Sequence, residues 1–168
     1  MLACLPHPLP LPPHEFRAGP AVPEPFHTLL VHDQHMTVTM EAFHGCPVQV
    51  RLQQRSLHGD WYARQIVLVK DGSDTIVQGG VVRINLALCS PAVRAAILQE
   101  DTPLGRILIE QDVMRRIEIT AYLRIHLEPA WQAWLACPGQ NPAYGRLGYI
   151  HCDGQPAIEL FEIVPPLP

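Results

Sequence analysis

The sequence predicts a single α+β domain: a mostly antiparallel six-stranded sheet with helices packed on one side. Three observations carry that expectation. Several stretches alternate apolar and polar residues or are rich in β-branched residues, as strands are. Most of them are joined by short links, and Asp71-Gly72 and Asp153-Gly154 are strong turn signals that make hairpins of their neighbours. The helical stretches are grouped between strands rather than alternating with them one for one, which favours α+β over a parallel α/β sheet.

Eight of the first twenty-five residues are proline. Proline supplies no backbone donor, so residues 1–24 read as an extended arm ahead of a domain at 25–168, and as dispensable for folding. Residues 25–31 suit a short helix and 35–44 a helix or flap. Residues 48–56 (VQVRLQQRS) alternate as a half-buried strand does. Residues 62–70 (YARQIVLVK) form a second strand and 75–86 a third, in which Gly79-Gly80 marks a bulge or a close backbone approach. Ser90-Pro91 reads as a helix start, with Ser90 as N-cap and proline in the first turn. Thr102-Pro103 repeats that signal for a helix running through Ile109. Residues 114–125 make a long fourth strand, 129–135 a short helix, and 144–152 and 156–164 the last two strands.

Bulk properties narrow the function. A chain of 168 residues builds one real core. The formal net charge of −4 argues against nucleic acid as the main partner, because phosphate neutralisation needs a basic face. No apolar run approaches the roughly 18 residues of a membrane span, and the proline-broken start lacks the basic region of a secretory signal. Five widely spaced cysteines, Cys4, Cys46, Cys89, Cys137 and Cys152, suit reduced thiols in a cytoplasm better than a disulfide framework. His32 and His35 form an HxxH pair near His44 and Cys46, but no second pair completes a zinc set, so no metal is expected.

Arg64 is the most informative single residue. In an alternating strand it shares a face with Tyr62, Ile66 and Leu68, and a guanidinium on an apolar face is costly unless paired. It reads either as an internally paired or solvent-facing arginine, or as a buried cation awaiting a ligand carboxylate. The last strand offers two carboxylates on opposite faces. Glu162 lies with Ile158, Leu160 and Val164, and Glu159 with Ala157, Phe161 and Ile163. One of them is expected to be buried and partnered.

TPLGRIL at 102–108 resembles the chorismate lyase family, and four further stretches follow in the family's order and spacing. These are HMTVTME (35–41), VQVRL (48–52), YARQIVL (62–68) and DGQPAIELFEIVPP (153–166), so the likeness spans about 27–166. The resemblance implies a chorismate lyase-like fold and an enzyme that eliminates pyruvate from chorismate to leave 4-hydroxybenzoate in an enclosed cavity, without a cofactor. It implies substrate contacts from Arg64 to the ring carboxylate, from the backbone of Leu104, from Met36, and from Glu162 or Glu159 to the ring hydroxyl. A second cation is wanted for the enolpyruvyl carboxylate, with Arg83, Arg106 and Arg124 as candidates. The implied state is a monomer or weak dimer, with a place in aromatic-compound or ubiquinone biosynthesis. Two other readings stay open: a lyase giving a different hydroxybenzoate, and a non-catalytic effector-sensing domain of the same fold, which some bacterial regulators carry behind a helix-turn-helix domain. Residues 1–25 are too short and proline-rich to be such a domain.

Overall fold

The computed structural model describes residues 2–167. Seven strands form one sheet: β1 (His14–Arg17), β2 (Val48–His58), β3 (Trp61–Lys70), β4 (Ile76–Asn85), β5 (Arg115–Ile125), β6 (Ala143–Cys152) and β7 (Gln155–Val164). Their order is β1-β5-β6-β7-β4-β3-β2, and every neighbouring pair is antiparallel. The helices are α1 (Phe26–Leu30), α2 (Met36–His44), α3 (Pro91–Gln99), α4 (Leu104–Glu110) and α5 (Pro129–Trp134).

The expected α+β architecture is present with one strand more than the six expected. The additional strand, β1, lies inside the proline-rich arm, where Phe16 pairs with Leu123 and Arg17 with Tyr122. All four of its residues are exposed, so no alternating pattern announces it. Proline favours extended backbone but breaks a ladder, which confines such a segment to an edge. The rest of the arm is also docked. Leu5 and Val22 are buried, Trp131 Nε1 donates to Pro10 O at 2.8 Å, and the Gln54 amide exchanges hydrogen bonds of 2.9 and 2.8 Å with the backbone of His7.

β3 and β4 sit inside the sheet and are buried on both faces. One face carries Tyr62, Arg64, Ile66 and Leu68 and packs beneath α1, α2, α3 and α4 through Leu29, Met40, Val93, Ile97 and Leu108. The opposite face, with Val67, Val81, Phe161 and Ile163, is covered by the arm and by Trp131, Trp134 and Leu135 at α5. Gly79 explains its own identity there: a Cβ would stand 2.7 Å from Leu135 and 2.8 Å from Trp134, so only glycine lets α5 approach.

The two helix-start signals resolve differently. Ser90 Oγ accepts from Val93 N at 3.3 Å with Pro91 in the first turn, as expected. At α4 Pro103 itself occupies the capping position and offers no side-chain acceptor, so Thr102 is not the cap. The carbonyl of Thr102 instead accepts from Arg64 Nη2 at 3.4 Å.

Candidate functional site

The helix-covered face of the sheet encloses a narrow cavity of about 50 Å³. Its floor is sheet: Arg64 and Ile66 from β3, Gln78, Gly80 and Val82 from β4, Leu160 and Glu162 from β7. Its roof is two helix starts, His35, Met36 and Thr37 at α2 and Pro103, Leu104 and Gly105 at α4. The first N–H groups of a helix have no intrahelical acceptor, so both starts turn donors and positive dipole ends toward this region. They are held together by Arg106 Nη2 donating to Glu41 Oε1 at 2.6 Å, and by the close seat of His35 on Gly105.

Arg64 is 1% exposed, and its Nε and Nη1 have no partner. Burial pulls its pKa down from the usual arginine value, although it stays a cation in any accessible range. Neighbouring Tyr62 does not neutralise it: the Tyr62 hydroxyl donates to Glu100 Oε1 at 2.8 Å, and burial drives that phenol's pKa up. Two uncommitted guanidinium nitrogens in a dry cavity are the geometry that a carboxylate fork completes.

Acceptors stand among the other groups that line the cavity. Gln78 is buried and its Oε1 has no partner. Glu162 Oε2 accepts from Arg146 Nε at 2.6 Å. Arg146 is itself 1% exposed and donates to the carbonyls of Leu30, His32 and Gln34 at 3.0–3.2 Å, tying the α1–α2 connection to β6. His35 is held neutral. Arg115 Nε donates to its Nε2 at 2.7 Å, and burial first, then Arg115 and Arg146, push its pKa down to about 4. That leaves Nδ1 as the protonated nitrogen.

The structure therefore brings Met36, Arg64, Leu104 and Glu162 to one cavity. It does not bring Glu159 or Arg83 there. They pair with each other on the opposite face, with Arg83 Nε 2.9 Å from Glu159 Oε2 and the guanidinium 4.6 Å above the Trp61 ring. Adjacent strand positions face opposite ways, so β7 presents Glu162 to one side and Glu159 to the other. The other two arginine candidates are also engaged, Arg106 with Glu41 and Arg124 with Glu15 on the surface. Sequence reasoning missed Arg146, Gln78 and His35. Arg146 shares a face with Tyr144 and Ile150 in the same way that Arg64 shares one with Tyr62 and Ile66, a signal that was available. Gln78 alternates onto the same face as Gly80 and Val82, opposite Leu68, Ile66 and Arg64, so that face was legible as soon as β3 and β4 were paired in register. In the HxxH pair, His32 Nε2 bonds Leu29 O at 2.8 Å and His35 Nε2 accepts from Arg115, and among the described residues no cluster of three metal-ligating side chains occurs. No helix among the described residues is long and apolar enough to cross a membrane.

No protein-family model matches the chain, and no curated protein sequence matches it. Its fold does match solved structures. The effector domain of PhnF from Mycobacterium smegmatis superposes with a TM-score of 0.53 at 15% identity, covering 79% of this chain and 88% of that one. A longer PhnF structure from the same organism gives 0.54 at 12% identity and covers 78% of this chain. The chain spans 63% of that longer PhnF chain. At these identities the likeness is one of fold: the chain shares a single α+β unit on an antiparallel sheet with that effector domain.

Proposed function

We propose that this chain is a small-molecule-binding domain of the effector-sensing kind. Its ligand is a monocarboxylate with a hydrogen-bond donor at its far end, of which 4-hydroxybenzoate is the simplest example. The observation that carries the reading is Arg64, a fully buried guanidinium with two unpartnered nitrogens facing a cavity that also holds two acceptors, the Glu162 carboxylate and the unpartnered Oε1 of Gln78. An isolated buried charge is costly, and a bound carboxylate offsets that cost with two parallel charge-assisted hydrogen bonds. The amides of Leu104 and Met36 add donors around the carboxylate. The acceptors suit a hydroxyl or amine.

The same groups disfavour chorismate. It carries two carboxylates, and among the described residues Arg64 is the one Lys or Arg that lines the cavity; Arg146 lies outside the lining and is already paired with Glu162. A second carboxylate near Glu162 would meet another carboxylate, and like charges in a low dielectric repel. The cavity is also far below the roughly 300 Å³ of ordinary ligand pockets. A ring enters only if the starts of α2 and α4 part. The fold likeness to a PhnF effector domain supports the sensing role.

A lyase producing 4-hydroxybenzoate from chorismate in the cytoplasm is the second reading. It is favoured by the convergence of Arg64, Leu104, Met36 and Glu162, the residues that the family resemblance implies. One experiment separates the two. Calorimetric titration with 4-hydroxybenzoate is run beside a coupled assay for pyruvate released from chorismate. Saturable binding with a flat pyruvate trace supports the sensing domain. Steady pyruvate release supports the lyase. Neither signal would overturn both.

A further inference from the structure

A second cavity lies on the other side of the sheet, away from Arg64. It measures about 490 Å³, within the range of ordinary ligand pockets. Its floor is Leu123, Leu147 and Phe161 of the sheet, and Trp131 closes one end. Its roof is the proline-rich arm. Among the described residues, no Asp, Glu, Lys or Arg lines it. Among the described residues that line it, His14 is the one titratable side chain, and the Nδ1 of that ring already bonds Pro12 O at 2.9 Å. Pro8 and Pro12 have no N–H, and the carbonyl of Pro10 is taken by Trp131. The side chains described in the lining thus offer neither an acidic nor a basic charge beyond His14, nor a backbone donor from the prolines, and an apolar void of this kind repels water and accepts hydrocarbon.

The arm is fixed on both sides of this span, at His7 by the Gln54 amide and at His14–Arg17 by pairing with β5. A partner chain would have to peel the arm off to reach the floor. A small molecule slides beneath it. The exposed Leu11 and Phe16, 72% and 70% accessible, make an apolar mouth.

We propose that the space between the arm and the sheet is a second binding site, for an uncharged molecule with a medium-length hydrocarbon chain, its polar end left at the mouth beside His14. This site shares no residue with the Arg64 cavity, and it stands whether or not the reading of that cavity does.

The test uses the full chain with N-phenylnaphthylamine as a fluorescent apolar probe and decanol as competitor. The expected result is saturable probe fluorescence with quenching of tryptophan emission, displaced by decanol and unaffected by 4-hydroxybenzoate. Leu147→Trp, which fills the floor, should weaken the probe by about tenfold or more. Leu11→Asp is a surface change that spares folding and sets a carboxylate at the mouth, and it should weaken the probe in the same direction. Absence of saturable binding to the parent chain overturns the proposal. So does binding that both variants leave unchanged, or displacement by 4-hydroxybenzoate, since either puts the probe elsewhere. Sedimentation at the same concentrations gives the last check: a dimer that excludes the probe would assign this face to a second copy and overturn the small-molecule site.

Discussion

Arg64, Gln78 and Glu162 reach the cavity from three adjacent strands, and their hydrogen-bond states differ in a way that sets what each substitution does. Arg64 has one long hydrogen bond, to the Thr102 carbonyl, and no carboxylate paired with it, so in the ligand-free chain it is a buried charge with little compensation. Replacing it with methionine keeps the volume and removes that cost. Arg64→Met is therefore expected to raise the thermal midpoint while weakening 4-hydroxybenzoate by about 3 kcal/mol or more, over a hundredfold. A fall in both stability and affinity would make Arg64 a structural residue. Arg64→Lys restores the charge without the fork and should recover little of the binding. Glu162 is paired with Arg146, so Glu162→Ala strands a buried guanidinium and should cost stability on the order of 3–5 kcal/mol, read by urea unfolding. Gln78→Arg would place a second cation where a second carboxylate would lie. A gain in affinity for dicarboxylates such as chorismate over 4-hydroxybenzoate is the expected outcome in calorimetry.

At the scale of elements, two connections decide how the site is built and opened. The arm is a structural part of the fold. It buries Leu5 and Val22 and satisfies the Trp131 indole. Burial of the two side chains contributes roughly 3–5 kcal/mol and the hydrogen bond about 1. A chain beginning at residue 25 should lose about that much in urea unfolding, in contrast to the dispensable arm that proline content alone suggests. The second connection is the Arg106–Glu41 pair between α4 and α2. It is partly exposed and worth at most about 1 kcal/mol, so its loss leaves the fold intact. Because a ring needs those two helix starts to separate, Arg106→Ala is expected to speed association of 4-hydroxybenzoate in stopped flow more than it changes the unfolding midpoint.

For the molecule as a whole, pH acts through the neutral histidines of the α1–α2 segment. His35 has a pKa near 4 in the fold against about 6.5 when unfolded. Between those values the unfolded chain takes up a proton that the native chain does not. Stability is therefore full above pH 6.5, falls as pH drops through the window, and levels off below pH 4. One group with this shift contributes on the order of 3 kcal/mol, and His32 is shifted in the same direction by burial and Arg146. Unfolding free energies at pH 7 and pH 4.5 should differ accordingly, and His35→Gln should shrink the difference.

Local order was legible in the chain itself. Hairpin turns at Asp71-Gly72 and Asp153-Gly154, the Ser90 cap and the strand alternation all act over a few residues, where the sequence carries the physics directly. Arg64 was legible for the same reason, because a cation amid Tyr62, Ile66 and Leu68 conflicts with its own strand face. What only the tertiary structure decided involves partners far apart in the chain. β1 exists because β5 offers it an edge, across pairs that run from Arg17–Tyr122, 105 residues apart, to His14–Ile125, 111 residues apart. Glu162 rather than Glu159 meets the cavity because β7 pairs between β4 and β6 and the helices settle on one of its faces. Arg146 is spent and Arg64 is free for the same kind of reason. Whether a buried charge has a counterion depends on which strands become neighbours, and that is fixed by long-range packing rather than by local pattern.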